Sequence, residues 1–401
     1  MHVLLSAYVC KPGAGSEPEI GWTTLRAAAA SHEVVLLTQP INAPFVAAGL
    51  EQEGLDSVEI VEVPDPAWLR RYEGRLGLGH LAYAIWQYRA LRAARRLEER
   101  VDVAHHITFG GDWFPCAVHF LRRVPVVWGP VGGYAPVPWR LVRYLSVRGF
   151  AIELAREALT RPLRALCASL ARRRGLLVVA HNRDTARRFE RAGAKVAIKP
   201  LVAMPPLEES VVEADEDSQP ARDGERRAVF ISRLVPWKGP LLALRALAGL
   251  PADWRLDFYG RGPAEGRIRR LAERLGIGER VHLRGFVDRD EIWRVLGSAD
   301  VLVFPSMHDS APQPVAQAVR AGCPVVCLDV AGPPLLVEGT TGIAVEPDRQ
   351  AAERVAEAMR KVRRHPPSDR WSAERLPATL TELYDQAAGI GVPVGAEVAG
   401  G

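Results

Sequence analysis

At 401 residues, with 48% hydrophobic and 25% charged side chains, the chain is long and apolar enough for two domains that each bury a core. Its 52 basic and 47 acidic side chains leave a mild formal charge of +5, with no long one-sign tract and no aromatic residues interleaved with basic ones, so no nucleic-acid partner is expected. The five cysteines, Cys10, Cys116, Cys167, Cys323 and Cys327, are scattered without Cys-x-x-Cys spacing, which argues against a zinc site or a disulfide framework and for buried thiols in a reducing cytosol.

The N-terminus, MHVLLSAYVC, has no basic leader ahead of a long apolar run and reads as a first strand rather than a signal peptide. Nothing approaches the roughly 18 consecutive apolar residues of a membrane span, and a cytoplasmic protein is expected. Val3 to Ala7, Glu33 to Thr38, Val58 to Val63, Asp102 to Ile107, Val124 to Trp128 and Leu176 to Ala180 read as buried parallel strands with helical patterns between them. That order predicts a doubly wound α/β domain with its function at the C-terminal ends of the strands.

Three stretches of this first half stand out. After the first strand, "YVCKPGAGSEPEIGW" combines Gly13 and Gly15, which permit a tight turn, with Ser16, Glu17 and Glu19 at a helix start. Backbone N–H groups there can face a phosphate or a sugar hydroxyl, but the spacing is not that of a dinucleotide fingerprint. In "DVAHHITFGG", His105 and His106 point to opposite faces of an extended strand, so one is core and the other faces a cleft, or both are structural. His106 is carried forward as the catalytic candidate. Residues 139–175 hold nine arginines against two glutamates, with leucines, Trp139 and Phe150 between. Such a stretch fits weak peripheral contact with an anionic membrane, or helices with their arginines on the solvent face.

The acidic segment "LEESVVEADEDSQPARDGERR" has no periodic apolar face and reads as a solvated insertion. Strands then resume at Ala228 to Ile231, Leu256 to Tyr259, Val281 to Leu283, Val301 to Phe304 and Pro324 to Leu328. A last helical stretch, Ser372 to Ala388, follows a break at Pro366 and Pro367. In "FISRLVPWKGPLL" a strand delivers Arg233, and Lys238-Gly239 opens a helix, two cations at a helix N-terminus that suit a diphosphate. Asp288 and Asp290 spell a D-x-D of the kind metal-dependent transferases use. Asp288 with Glu291 also fits a capping box, which is the reading adopted, so no metal is expected.

With Gly-Ser-Glu at 15–17, "WGPVGG" at 128–133, "SRLVPWKG", "YGRGP" and "PSMHDS…AGCPVV" in place, nearly the whole chain resembles the retaining glycosyltransferase family 4 of the GT-B fold. Its Gly-Ser-Glu-Pro, Trp-Gly-Pro-Val-Gly-Gly and His-Asp-Ser motifs look like a bacterial branch. The resemblance implies an acceptor-binding domain over 1–200, joined by a crossing helix at 370–390, and a nucleotide-sugar-binding domain over 201–369. It implies a metal-independent retaining transfer, hexosyl or N-acetylhexosaminyl, from a nucleotide sugar to a glycan or lipid-linked acceptor, with no cofactor. A UDP-sugar is expected as the commonest donor, and the Ala/Arg-rich composition makes a small natural-product acceptor equally plausible. Arg233 and Lys238 would grip the diphosphate. Asp309 would meet the donor sugar in place of the family's first glutamate, and Gln317 stands where a second glutamate holds the ribose. Gly15, Ser16, Gly262, Phe286, Ser310, Ala311 and Gln313 complete the expected donor contacts. Gln317 lacks the charge, and Pro312 replaces a glycine and removes a backbone donor. A binding or scaffold protein that has lost catalysis, or a pseudo-glycosyltransferase, is the alternative those two departures raise.

Overall fold

The computed structural model describes residues 1–66, 78–133, 135, 137–205 and 224–390; most of the acidic insertion lies outside them. The first half contains β1 (His2–Ser6), α1 (Ser16–Ala29), β2 (Glu33–Thr38), α2 (Ala43–Glu53), β3 (Val58–Glu62), α3 (Leu78–Leu97), β4 (Val103–His106), β5 (Val126–Val131), α4 (Val147–Arg174), β6 (Leu177–Ala180), α5 (Arg183–Arg191) and β7 (Lys195–Ile198). The second contains β8 (Arg226–Ile231), α6 (Pro240–Ala248), β9 (Trp254–Tyr259), α7 (Glu265–Arg274), β10 (Val281–Gly285), α8 (Arg289–Ser298), β11 (Val301–Phe304), α9 (Gln313–Arg320), β12 (Val325–Leu328), α10 (Pro333–Val337), β13 (Ile343–Val345), α11 (Ala351–Lys361) and α12 (Leu376–Ala388).

These form two parallel sheets, ordered β3-β2-β1-β4-β5-β6-β7 and β10-β9-β8-β11-β12-β13. The expected pair of Rossmann-like domains is therefore present. Central strands such as β4, β6, β11 and β12 are buried at every position, as strands with helices on both faces must be. The edge strands β7 and β13 were not anticipated. Each is short, and only half-buried or exposed along much of its length, so neither makes an apolar run. Helix starts follow local chemistry: the side chains of Ser146, Asn182 and Asp288 accept from the backbone N–H of Gly149, Thr185 and Glu291, capping α4, α5 and α8.

Core membership does not follow chain order. Leu376, Leu380, Leu383 and Tyr384 of α12 pack with Val103, Val127 and Val179 of the first sheet. In the other direction, the turn Trp139–Tyr144 reaches across to the second domain, where Leu141, Tyr144 and Leu145 join its core beside Leu241 and Leu271. Burying each such side chain is worth about 1.5–3 kcal/mol, so this strap is an integral part of the second domain's packing. The two linkers run side by side, with Met204 N–H donating to Trp371 O at 2.7 Å and Ala373 N–H to Met204 O at 2.8 Å.

His105 and His106 both lie inside the first domain. His105 Nε2 is 2.8 Å from Gly129 O, so it carries the proton, and Nδ1 accepts from the Tyr384 hydroxyl at 3.0 Å. His106 meets the Tyr83 hydroxyl at 2.8 Å and Ser6 Oγ at 3.0 Å. Burial is the main cause that lowers the two imidazoles to about 4 and about 3. Both are neutral in the folded chain at pH 6 while the unfolded chain takes up protons, so stability is full above pH 6.5 and declines as pH falls. Between pH 7 and 5 each should cost about 2 kcal/mol. Urea unfolding at pH 7, 6 and 5 should show a falling midpoint, and a flat one contradicts this account.

Candidate functional site

The second domain supplies one wall of a cleft. After β8 the chain passes Arg233, turns through Pro236–Lys238 and enters α6 at Gly239. Gly239 has φ of +76°, and a Cβ there would lie 2.2 Å from Pro305 O, so only glycine lets this turn sit on the end of β11. The close approach brings Lys238 Nζ to 2.5 and 2.6 Å from the two carboxylate oxygens of Asp309. With 14% and 21% of these side chains exposed, the pair is shielded from water yet open on one side. The Trp237 ring stacks on His308 at 5.8 Å between centroids. Burial first, and then the Arg156 charge, hold His308 down at about 4, so it is neutral at pH 7.

The first domain supplies the facing wall. A cavity of about 290 Å³ opens between Lys238, Asp309, Ala311, Pro312 and Gln313 on one side and Glu19, Thr23 and His181 on the other. Glu19 Oε2 and His181 Nε2 are buried atoms with no hydrogen-bond partner among the described residues. Burial lowers His181 to about 4, so it meets the cleft as a neutral imidazole. Glu17 is spent on structure: its carboxylate accepts from Phe109 N–H at 2.9 Å, and burial raises its pKa. The two walls touch at Gly132, where a Cβ would lie 2.3 Å from Ser310 Oγ. Nearby, Ala331 N–H donates to Asp184 Oδ2 at 3.1 Å, and Arg183 pairs with Glu338 at 2.9 Å.

The expected site residues divide. Lys238, Asp309, Ala311 and Gln313 line the cleft, and Ser310 stands at its edge against Gly132. Gln317 is buried and borders a smaller cavity of about 110 Å³, which shares Glu19, Thr23 and Gln313 with the larger one. Pro312 caps α9 and Pro314 lies in its first turn, where a missing N–H costs nothing. Arg233 is exposed and borders neither cavity, although its neighbour Ser232 lines the larger. Phe286 is 76% exposed and also stands outside both. Gly262 lies against Leu234 O, where a Cβ would be at 2.4 Å, so it seats the turn after β9 on the turn that carries Arg233. Gly15 is the N-cap residue of α1 at φ of +68°, and Ser16 begins the helix.

His106 requires correction: it is 1% exposed, held by Tyr83 and Ser6, and does not border the cleft. A central strand has helices over both faces, so alternation sends neither histidine of the pair to solvent. The histidine that borders the cleft is His181, just past β6 in "VVAHN". Its position at a strand end was the available signal. Glu19 was legible only as a helix-start carboxylate. Asp288 is used as a cap, its Oδ1 accepting from Glu291 N–H at 2.8 Å.

Residues 211–374 match the family described as Glycosyl transferases group 1. Among curated proteins, the chain is 36% identical over 129 residues to the D-inositol 3-phosphate glycosyltransferase of Mycobacterium sp. (strain KMS), covering 30% of this chain and 29% of that protein. The match thus spans under a third of that relative's length. The Alpha-D-kanosaminyltransferase of Streptomyces kanamyceticus is 25% identical over 350 residues, covering 82% of this chain and 86% of the relative. Among solved structures, Anabaena HepE in complex with UDP and glucose superimposes with a TM-score of 0.58 at 18% identity, covering 96% of this chain and 100% of that one. A glycosyltransferase from Rickettsia africae gives 0.57 at 14% identity, covering 96% and 98%. The chain has the GT-B fold, and its residues 211–374 match the glycosyl transferases group 1 family.

Proposed function

We propose that the protein is a retaining, metal-independent glycosyltransferase that moves a sugar from a nucleotide sugar, a UDP-sugar by preference, to a glycan or natural-product acceptor. The observation that carries this reading is the Lys238–Asp309 pair facing Glu19 and His181 across the cleft. The UDP bound by Anabaena HepE and the glycosyltransferase names of the sequence relatives support it.

In this reading the donor lies along the ends of β8 and β11 with its diphosphate at Lys238 and the start of α6. Arriving phosphate oxygens compete with Asp309 for the Lys238 ammonium, and the released carboxylate turns to sugar hydroxyls. Charge that builds on the departing nucleotide is held by Lys238, by backbone N–H groups and by the exposed Arg233 beyond the cavity. Gln317 offers the ribose one neutral acceptor in place of a carboxylate. The acceptor approaches from the α1 side, where Glu19 and neutral His181 are placed to hold its hydroxyls. Contact with an anionic membrane by residues 139–175 fits an acceptor that is lipid-linked. In that stretch Val147, Leu154, Leu159 and Leu166 of α4 are at least half exposed beside arginines such as Arg148.

Nucleotide release by the purified protein, assayed with a panel of sugar nucleotides and acceptors, tests the reading. Lys238→Ala should lower kcat/KM about 100-fold or more, and Arg233→Ala by a smaller factor. No turnover with any donor, together with unchanged nucleotide affinity in both variants, overturns it. Donor binding without transfer instead favours the catalytically impaired reading.

The domain contact has its own test. Gly132→Ala should destabilise the protein by about 1–3 kcal/mol through the clash with Ser310, and adding Ser310→Gly should recover most of the loss. Thermal unfolding of the two variants reads this directly; additive losses refute the contact.

A further inference from the structure

A second cavity, of about 330 Å³, shares no lining residue with the cleft. Five of its eight lining residues are arginines: Arg143 from the strap, Arg245 from α6, and Arg267, Arg270 and Arg274 from α7. The remaining three are Tyr144, Leu241 and Leu271, so no carboxylate lines it.

Some arginines elsewhere in the molecule are neutralised by carboxylates. Arg164 pairs with Asp112 and Glu157, and Arg227 pairs with Asp257. None of the five forms an ion pair among the described residues. Their hydrogen bonds go to neutral groups: Arg143 to Arg349 O at 2.5 Å, Arg267 to Tyr144 O at 3.4 Å and Arg274 to Arg270 O at 3.3 Å. Arg267 Nη1 is buried with no partner among the described residues. Like charges gathered without a counter-charge repel, and a buried guanidinium N–H left unpaired costs free energy. Both costs are relieved by an anion that accepts several forked hydrogen bonds at once.

The geometry points to a binding site here for two or more phosphoryl groups presented close together, on one small molecule or on neighbouring headgroups. Guanidinium forks match phosphate oxygens bidentately, and a cavity of this size is in the range of small-molecule sites, about 300–1,000 Å³. Leu241, Leu271 and Tyr144 form its apolar wall. A ligand there bridges the strap to α6 and α7, the helices that follow the Lys238 and Gly262 turns. The site is independent of the proposed transferase reaction. Its phosphoryl groups come either from a soluble diphosphate or from a phospholipid surface.

Inorganic pyrophosphate is the probe for the soluble source, measured by calorimetry and by the shift in melting temperature. Vesicles of phosphatidylglycerol against phosphatidylcholine are the probe for the lipid source, measured by co-sedimentation. Arg245→Gln/Arg270→Gln removes two exposed cations of the site, Arg173→Gln/Arg191→Gln removes the same charge elsewhere, and Lys238→Ala removes a pyrophosphate ligand of the cleft. The expected result is saturable pyrophosphate binding that persists in Lys238→Ala and the Arg173/Arg191 variant and weakens at least 10-fold in the Arg245/Arg270 variant. Phosphatidylglycerol binding with the same pattern, without pyrophosphate binding, supports the site and assigns the lipid source. Equal affinity in the wild type and the Arg245/Arg270 variant, equal loss in both double variants, or no binding to either probe overturns it.

Discussion

The arrangement of the cleft depends on the approach of Gly239 to Pro305. A parallel sheet delivers its turns to one end, but only a residue without a Cβ lets the turn after β8 lie directly on the end of β11. That backbone contact places Lys238 against Asp309, residues 71 positions apart in the chain. It also sets the start of α6, and therefore the direction in which its first N–H groups point. Two opposite charges held together in partial shelter form a neutral unit that a ligand can reopen at modest cost, because each half finds a new partner in the ligand.

Much of this was legible because parallel α/β architecture writes itself in short aliphatic runs and the turns between them. The strand ends, the Lys238-Gly239 turn and the Asp288 cap each rest on residues within a few positions of one another. Convergence across domains left no such trace. Glu19 and His181 meet Lys238 only because two sheets face each other, and no local spacing encodes that. His106 was misplaced for the complementary reason. Alternation along a strand says that two neighbours point to opposite faces, but not whether those faces are open; here α12 covers one and α3 the other.

Arginine serves different ends in the two halves of the molecule. In the first domain, Arg164 and Arg188 converge on the buried Asp112 and Arg164 also pairs with Glu157, so two cations face two carboxylates. In the second, α7 spaces Arg267, Arg270 and Arg274 so that they share a face and look toward the strap. Composition alone cannot separate these uses. The mild net charge conceals an uneven distribution, with acids placed where structure must be fixed and withheld where a cavity remains open.

The strap also settles what counts as a unit of folding. A polypeptide beginning at residue 201 would contain every strand of the second sheet, yet its core would lack Leu141, Tyr144 and Leu145. One ending at residue 200 would contain the whole first sheet but leave bare the face that Leu380 and Tyr384 occupy. Each half has a complete sheet, but each takes part of its core from the other. The order in which the chain emerges during synthesis therefore cannot be the order in which it finishes folding: the first domain waits for the last helix.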